Sequence, residues 1–91
     1  MNLTTEQLKE VEEMSELFFS ARDISINIGL DADEFALFET FLEGDVYEEE
    51  IYQAYHRGRL QTEIALRESI KKAALNGSSP SQTLMQKYSN S

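Results

Sequence analysis

Ser20-Ala21-Arg22-Asp23-Ile24-Ser25-Ile26-Asn27-Ile28-Gly29-Leu30-Asp31-Ala32-Asp33-Glu34-Phe35 holds two helix starts and one helix stop. Ser20 followed by Asp23, and Asp31 followed by Glu34, each put a side-chain oxygen where it can accept from the free N–H groups of a first helical turn. Gly29 between them supplies a residue that takes a left-handed conformation without strain, the usual end of a helix. Ala21, Ile24 and Ile28 fall on one face at helical spacing. Ile24, Ile26 and Ile28 also alternate as in a strand, but a lone strand here would have no partner. The stretch therefore reads as a short helix, a tight turn and the start of another helix.

Toward the N-terminus, Thr4 with Gln7 forms a capping-box pattern, and Leu8, Val11, Met14, Leu17 and Phe18 recur at spacings of three and four. A helix from about Thr5 to Phe19 is expected, with a Glu-rich outer face. Toward the C-terminus, Phe35, Phe38, Phe41 and Leu42 make an aromatic stripe that ends at Gly44, defining the third helix. Asp45 with Glu48 opens a fourth, whose apolar positions run from Val46 and Tyr47 to Ala73 and Ala74, before Asn76-Gly77. A helix of that span is a rod of roughly 45 Å. Gly58 lies in the middle of it, where it can kink the rod or permit close approach of a neighbouring backbone. Ser79-Pro80-Ser81-Gln82 carries the marks of one more helix start, expected from Pro80 to about Tyr88.

The expected fold is all-α: a helix-turn-helix-like N-terminal bundle over 1–44, then a long helix and a short hairpin helix over 45–88, in a single domain of 91 residues. No apolar run approaches the roughly 18 residues needed to span a bilayer. The first residues show no basic stretch leading into an apolar one, so a cytoplasmic location is expected. Cysteine is absent and His56 is the sole histidine, which excludes thiolate metal sites and disfavours histidine ones. No metal and no cofactor are expected.

The net charge of −9 is unevenly distributed. Residues 1–52 set Lys9 and Arg22 against fifteen carboxylates, a balance of −13, whereas residues 53–91 set six cations against Glu63 and Glu68, a balance of +4. An acidic front half and a basic back half suit either a basic binding surface or head-to-tail association, which makes a ring when it closes.

The sequence offers little for catalysis. His56 has no Ser or Cys at a motif spacing and reads as an exposed helix histidine. Glu48, Glu49 and Glu50 point about 100° apart on a helix and do not converge on a substrate. Asp31-Ala32-Asp33-Glu34 opens like a calcium loop but lacks the spaced glycine and the closing glutamate. An enzyme is not expected. In a helix-turn-helix the second helix enters the major groove, yet Asp33 to Glu43 contains no cation. Phosphate contacts would fall to Arg22 at the start of the motif and to Arg57, Arg59, Arg67, Lys71 and Lys72 farther on. Ordinary helix-stabilising pairs, Glu63 with Arg67 and Glu68 with Lys71 or Lys72, compete with that reading. Tyr47, Tyr52 and Tyr55 could stack on bases but suit a core or interface equally.

The segment Leu17 to Asp31 resembles the N-terminal helix-turn-helix of bacteriophage terminase small subunits. Ala54-Tyr55-His56-Arg57-Gly58-Arg59, Glu63 to Ile70 and Ala74 to Leu84 are similar to the long helix and helical hairpin that follow it, so the likeness covers roughly residues 15 to 88. The resemblance implies a viral genome-packaging adaptor, without catalytic residues, in the cytoplasm of an infected bacterium. Such oligomers, commonly rings, bind double-stranded DNA and recruit the large subunit that carries the ATPase and nuclease. The acidic third helix departs from the pattern of a DNA reader. Self-association is expected through Phe38, Phe41, Tyr47, Ile51 and Tyr55. Two other functions fit the residues: a non-DNA helical protein-interaction module with an acidic docking face, and a helix-turn-helix transcriptional regulator.

Overall fold

The computed structural model describes residues 1–44, 46–77 and 79–89, with the side chains of 79–81 left aside. Among these residues the protein is all-α, with five helices: α1 (Thr5–Glu16), α2 (Ala21–Asn27), α3 (Ala32–Glu43), α4 (Glu50–Leu75) and α5 (Ser79–Ser89). The chain divides into two compact units, 1–61 and 62–91. The division falls inside α4, whose first turns contribute Ile51 and Ala54 to the core of the front unit.

The starts of the first three helices are those written in the sequence. The Thr4 hydroxyl accepts from the Gln7 N–H at 3.1 Å while the Gln7 side chain accepts from the Thr4 N–H at 2.9 Å. Asp31 and Glu34 exchange the same pair of bonds at 2.8 and 3.0 Å, and Ser20 accepts from the Asp23 N–H at 3.2 Å. Each cap satisfies donors that a helix leaves open at its first turn. The end of α2 is equally legible: Gly29 sits at φ +81°, Leu30 donates to the Ser25 carbonyl and Gly29 to that of Ile26. The carbonyl of Ile28 takes a further hydrogen bond from the Gln7 amide at 3.1 Å, which ties the turn to α1. Ile24 and Ile28 face inward and Ile26 outward, so helical spacing prevails over the strand-like alternation.

Boundaries of α1, α4 and α5 differ from the expected ones. α1 stops at Glu16 rather than Phe19, because Phe18 adopts φ +61° and closes the helix as a glycine ordinarily would. Phe18 donates to the Ser15 carbonyl at 2.9 Å and Phe19 to that of Met14 at 3.2 Å, the paired bonds of a Schellman ending. An aromatic residue in this region costs about 1–2 kcal/mol relative to ordinary backbone, and for that reason nothing in the sequence announces the stop. α4 begins at Glu50, with residues 46–49 in a turn; Asp45, the expected N-cap, lies outside the described residues, as do the side chains of the Ser79-Pro80-Ser81 start signal. α5 runs one residue beyond the expected range at each end.

Every helix of the front unit contributes to one core: Val11 from α1, Ile24 from α2 with Ile28 at its cap, Phe38 from α3, and Ile51 and Ala54 from α4. α1 and α4 approach closely at Gly58. A Cβ placed on Gly58 would collide with the Glu12 carbonyl oxygen, at 2.7 Å from Ser15 Cβ and 3.0 Å from the Glu16 nitrogen. Of the two roles open to Gly58 in the sequence, close approach is the one it plays, and α4 is continuous through it. In the second unit, α5 folds back on the end of α4: the Gln82 amide donates to the Ala74 carbonyl at 3.0 Å, and the Arg67 guanidinium lies 4.2 Å from the centre of the Tyr88 ring.

Gly58→Ala therefore forces α1 and α4 apart despite the better helix propensity of alanine. A loss of about 2–3 kcal/mol is expected, seen as a fall of about 10 °C in the thermal midpoint followed by circular dichroism.

Candidate functional site

Beside the Gly58 contact, Ser15 is fully buried and donates its hydroxyl to the Tyr55 carbonyl, bonding a side chain of α1 to the backbone of α4. Arg59, one residue after Gly58, reaches over the C-terminal end of α1. Its Nη1 donates to the Ser15 carbonyl at 3.2 Å and to the Ser15 hydroxyl at 3.3 Å, and its Nη2 donates to the Phe19 carbonyl at 3.0 Å. Its guanidinium also lies 4.4 Å from the centre of the Tyr55 ring and 5.6 Å from that of Phe18. The last turn of α1 contains no cation of its own, so Arg59 supplies, from another helix, the positive charge that the carbonyl end of a helix favours.

The six expected phosphate contacts meet different fates. Arg59 is occupied by α1. Arg57 lies 3.6 Å from Glu12 in a pair whose guanidinium side is 54% exposed, an interaction weak enough to exchange partners. Arg22 is exposed in the first turn of α2. In the second unit Arg67 pairs with Glu63 at 3.2 Å besides covering Tyr88, whereas Lys71 and Lys72 are exposed and make no ion pair among the described residues. The pairing of Glu63 with Arg67 is the helix-stabilising alternative; Glu68 makes no such pair with either lysine.

The expected self-association stripe is not a surface. Phe38 and Ile51 are in the core, 0% and 4% exposed, because the aromatic face of α3 closes the bundle. Phe41 packs half-buried against the same core, and Tyr55 lies beneath Arg59. Of the five, Tyr47 alone is well exposed, at 70%. It begins a tilted run of rings, 6.5 Å from Tyr52, which stands 4.2 Å from His56. These rings, with Gln53, Arg57 and Leu60, line an open groove of about 240 Å³.

Helix spacing alone misses a run of three exposed apolar side chains in the front unit. Leu17 and Phe18, counted toward the buried face of α1, are 72% and 55% exposed, and Phe19 is 41% exposed. They leave the interior because α1 ends before them. The exposed face of α3, including Asp33, Glu34, Glu39 and Glu43, carries no cation. No family model matches the chain, and no curated protein or solved structure is found similar to it.

The division of labour between the two neighbouring arginines is measurable. Arg59→Ala removes charge-assisted bonds from a helix end and is expected to lower stability by about 1–3 kcal/mol. Arg57→Ala should change it by less than about 1 kcal/mol. Urea unfolding of the two variants, followed by circular dichroism, compares them directly.

Proposed function

We propose that the chain is a non-enzymatic DNA-packaging adaptor of the kind the sequence resembles, a phage terminase small subunit. It binds double-stranded DNA as a homo-oligomer, a ring where the contacts close, and recruits the large ATPase and nuclease subunit in the cytoplasm of the infected bacterium. The observation that supports this reading is the α2–turn–α3 motif, in which Ser20, Gly29 and Asp31 set up a helix-turn-helix, with Arg22 exposed at its entry. Among the expected phosphate contacts, Arg22, Lys71 and Lys72 are the cations that make no ion pair among the described residues, and the hairpin unit that holds the lysines has four cations against two carboxylates. Weak contacts of this kind gain strength when an oligomer presents many copies to one duplex.

A specific observation favours a second reading, a non-DNA protein-interaction module with an acidic docking face. The front unit holds fifteen carboxylates against four cations, a balance of −11, and three of those cations, Lys9, Arg57 and Arg59, have partners inside the unit. No membrane role is included in either reading, and no helix among the described residues is long and apolar enough to cross one.

Anisotropy titrations of labelled duplex DNA with the full chain, across a range of salt, separate the two. Under the first reading binding weakens steeply with salt, and Lys71→Ala with Lys72→Ala reduces the log–log slope by roughly 2, close to one unit for each lost phosphate contact. Arg59→Ala leaves that slope unchanged while lowering stability. Absence of binding even at low salt removes the DNA reading and leaves the interaction module. Light scattering with and without duplex tests the oligomer, which a single-chain mass in both conditions would exclude.

A further inference from the structure

We infer that the turn Leu17-Phe18-Phe19 is a preorganised apolar docking knob for a partner protein that offers an apolar helix face flanked by basic residues. Three observations converge on this turn. Its side chains are 72%, 55% and 41% exposed in direct succession, so they serve no core. Phe18 holds φ +61°, a conformation in which glycine or asparagine is unstrained and an aromatic residue is not. Folding alone would favour the smaller residue, and strained backbone persists where a side chain is needed for another purpose. The turn is also held from behind: Phe18 and Phe19 donate to the end of α1, while Arg59 bonds the Phe19 carbonyl and lies against the Phe18 ring. A rigid apolar projection loses little conformational freedom on docking, and aromatic anchors of this kind carry much of the energy of an interface.

The charge around the knob selects the occupant. Glu12, Glu13 and Glu16 precede it, the first two in surface pairs with Arg57 and Lys9, Asp23 follows with Arg22, and the unit as a whole stands at −11. Away from the Arg22 entry of α2 such a surface offers little to anionic lipid, whereas an apolar helix face flanked by basic residues is attracted to it. The inference rests on the protein-binding half of the adaptor reading and stands whether or not the chain binds DNA.

The test uses the full chain and, as probe, a labelled synthetic amphipathic helix with a leucine face and a lysine face. Phe18→Gly and Leu17→Ser remove parts of the knob without altering charge, and Ile26→Ser removes an exposed apolar side chain elsewhere. Wild type is expected to bind the peptide, the two knob variants to bind at least about tenfold more weakly, and Ile26→Ser to match wild type within about twofold. Phe18→Gly is expected to keep or raise the thermal midpoint, since it relieves the strained backbone. A drop in that midpoint in step with the lost affinity would make Phe18 a structural residue and overturn the inference for it; Leu17→Ser, outside the strained position, then decides the knob. Wild-type affinity in both knob variants, no binding by wild type, or an equal loss in Ile26→Ser overturns it outright. So does binding of wild type to phosphatidylcholine vesicles that Phe18→Gly abolishes, or a dimer mass that Phe18→Gly reduces to one chain. The same variants titrated with duplex DNA should bind as wild type, which keeps failure of the DNA reading distinct from failure of this one.

Discussion

The contact between α1 and α4 at Gly58 is the constraint on which the front unit depends. With no side chain at that position, the backbone of α4 comes against Glu12 and Ser15 of α1. That closeness brings the Ser15 hydroxyl within reach of the Tyr55 carbonyl and the Arg59 guanidinium within reach of two carbonyls at the end of α1. Hydrogen bonds to buried or charged groups demand accurate geometry, so the small residue and the polar contacts support one another. A larger residue at 58 would undo the packing and the polar contacts together.

The same contact changes what the arginines are for. A cation at the carbonyl end of a helix is stabilising there, and Arg59 takes that role between the Tyr55 and Phe18 rings. Arg57, two positions earlier, turns to Glu12 at the surface. A row of basic residues that looks uniform along the chain thus divides into one structural cation, two in surface pairs, and three exposed residues, Arg22, Lys71 and Lys72, that make no ion pair among the described residues. A guanidinium held by its own protein must give up those bonds before it can neutralise an outside anion.

Arg59 also links the fold to the surface of the front unit. By bonding the Phe19 carbonyl it fixes a turn whose three apolar side chains face solvent, and the left-handed Phe18 aims them there. Large apolar groups scattered singly over a surface are ordinary. Three in succession on a braced, strained turn within an acidic unit form a surface suited to a partner rather than to water.

The all-α class, the caps of the first three helices and the Gly29 turn can be read from the order of the amino acids. These depend on local hydrogen bonds and on backbone conformations that particular residues favour, and a few adjacent positions suffice to specify them. It also gave the acidic front and basic back, since charge is additive along a chain. Tertiary structure alone decided the rest. The end of α1 at Phe18, the placing of Phe38 and Ile51 inside the core, the division of the chain within α4 and the capture of Arg59 by α1 all depend on which helix meets which. Residues 40 or more positions apart meet there, Ser15 with Tyr55 and Arg59 with Ser15 and Phe19, and no local pattern encodes such a pairing. Helical periodicity assigns Leu17 and Phe18 to the buried face with Val11 and Met14; a single residue of left-handed backbone sends them outward.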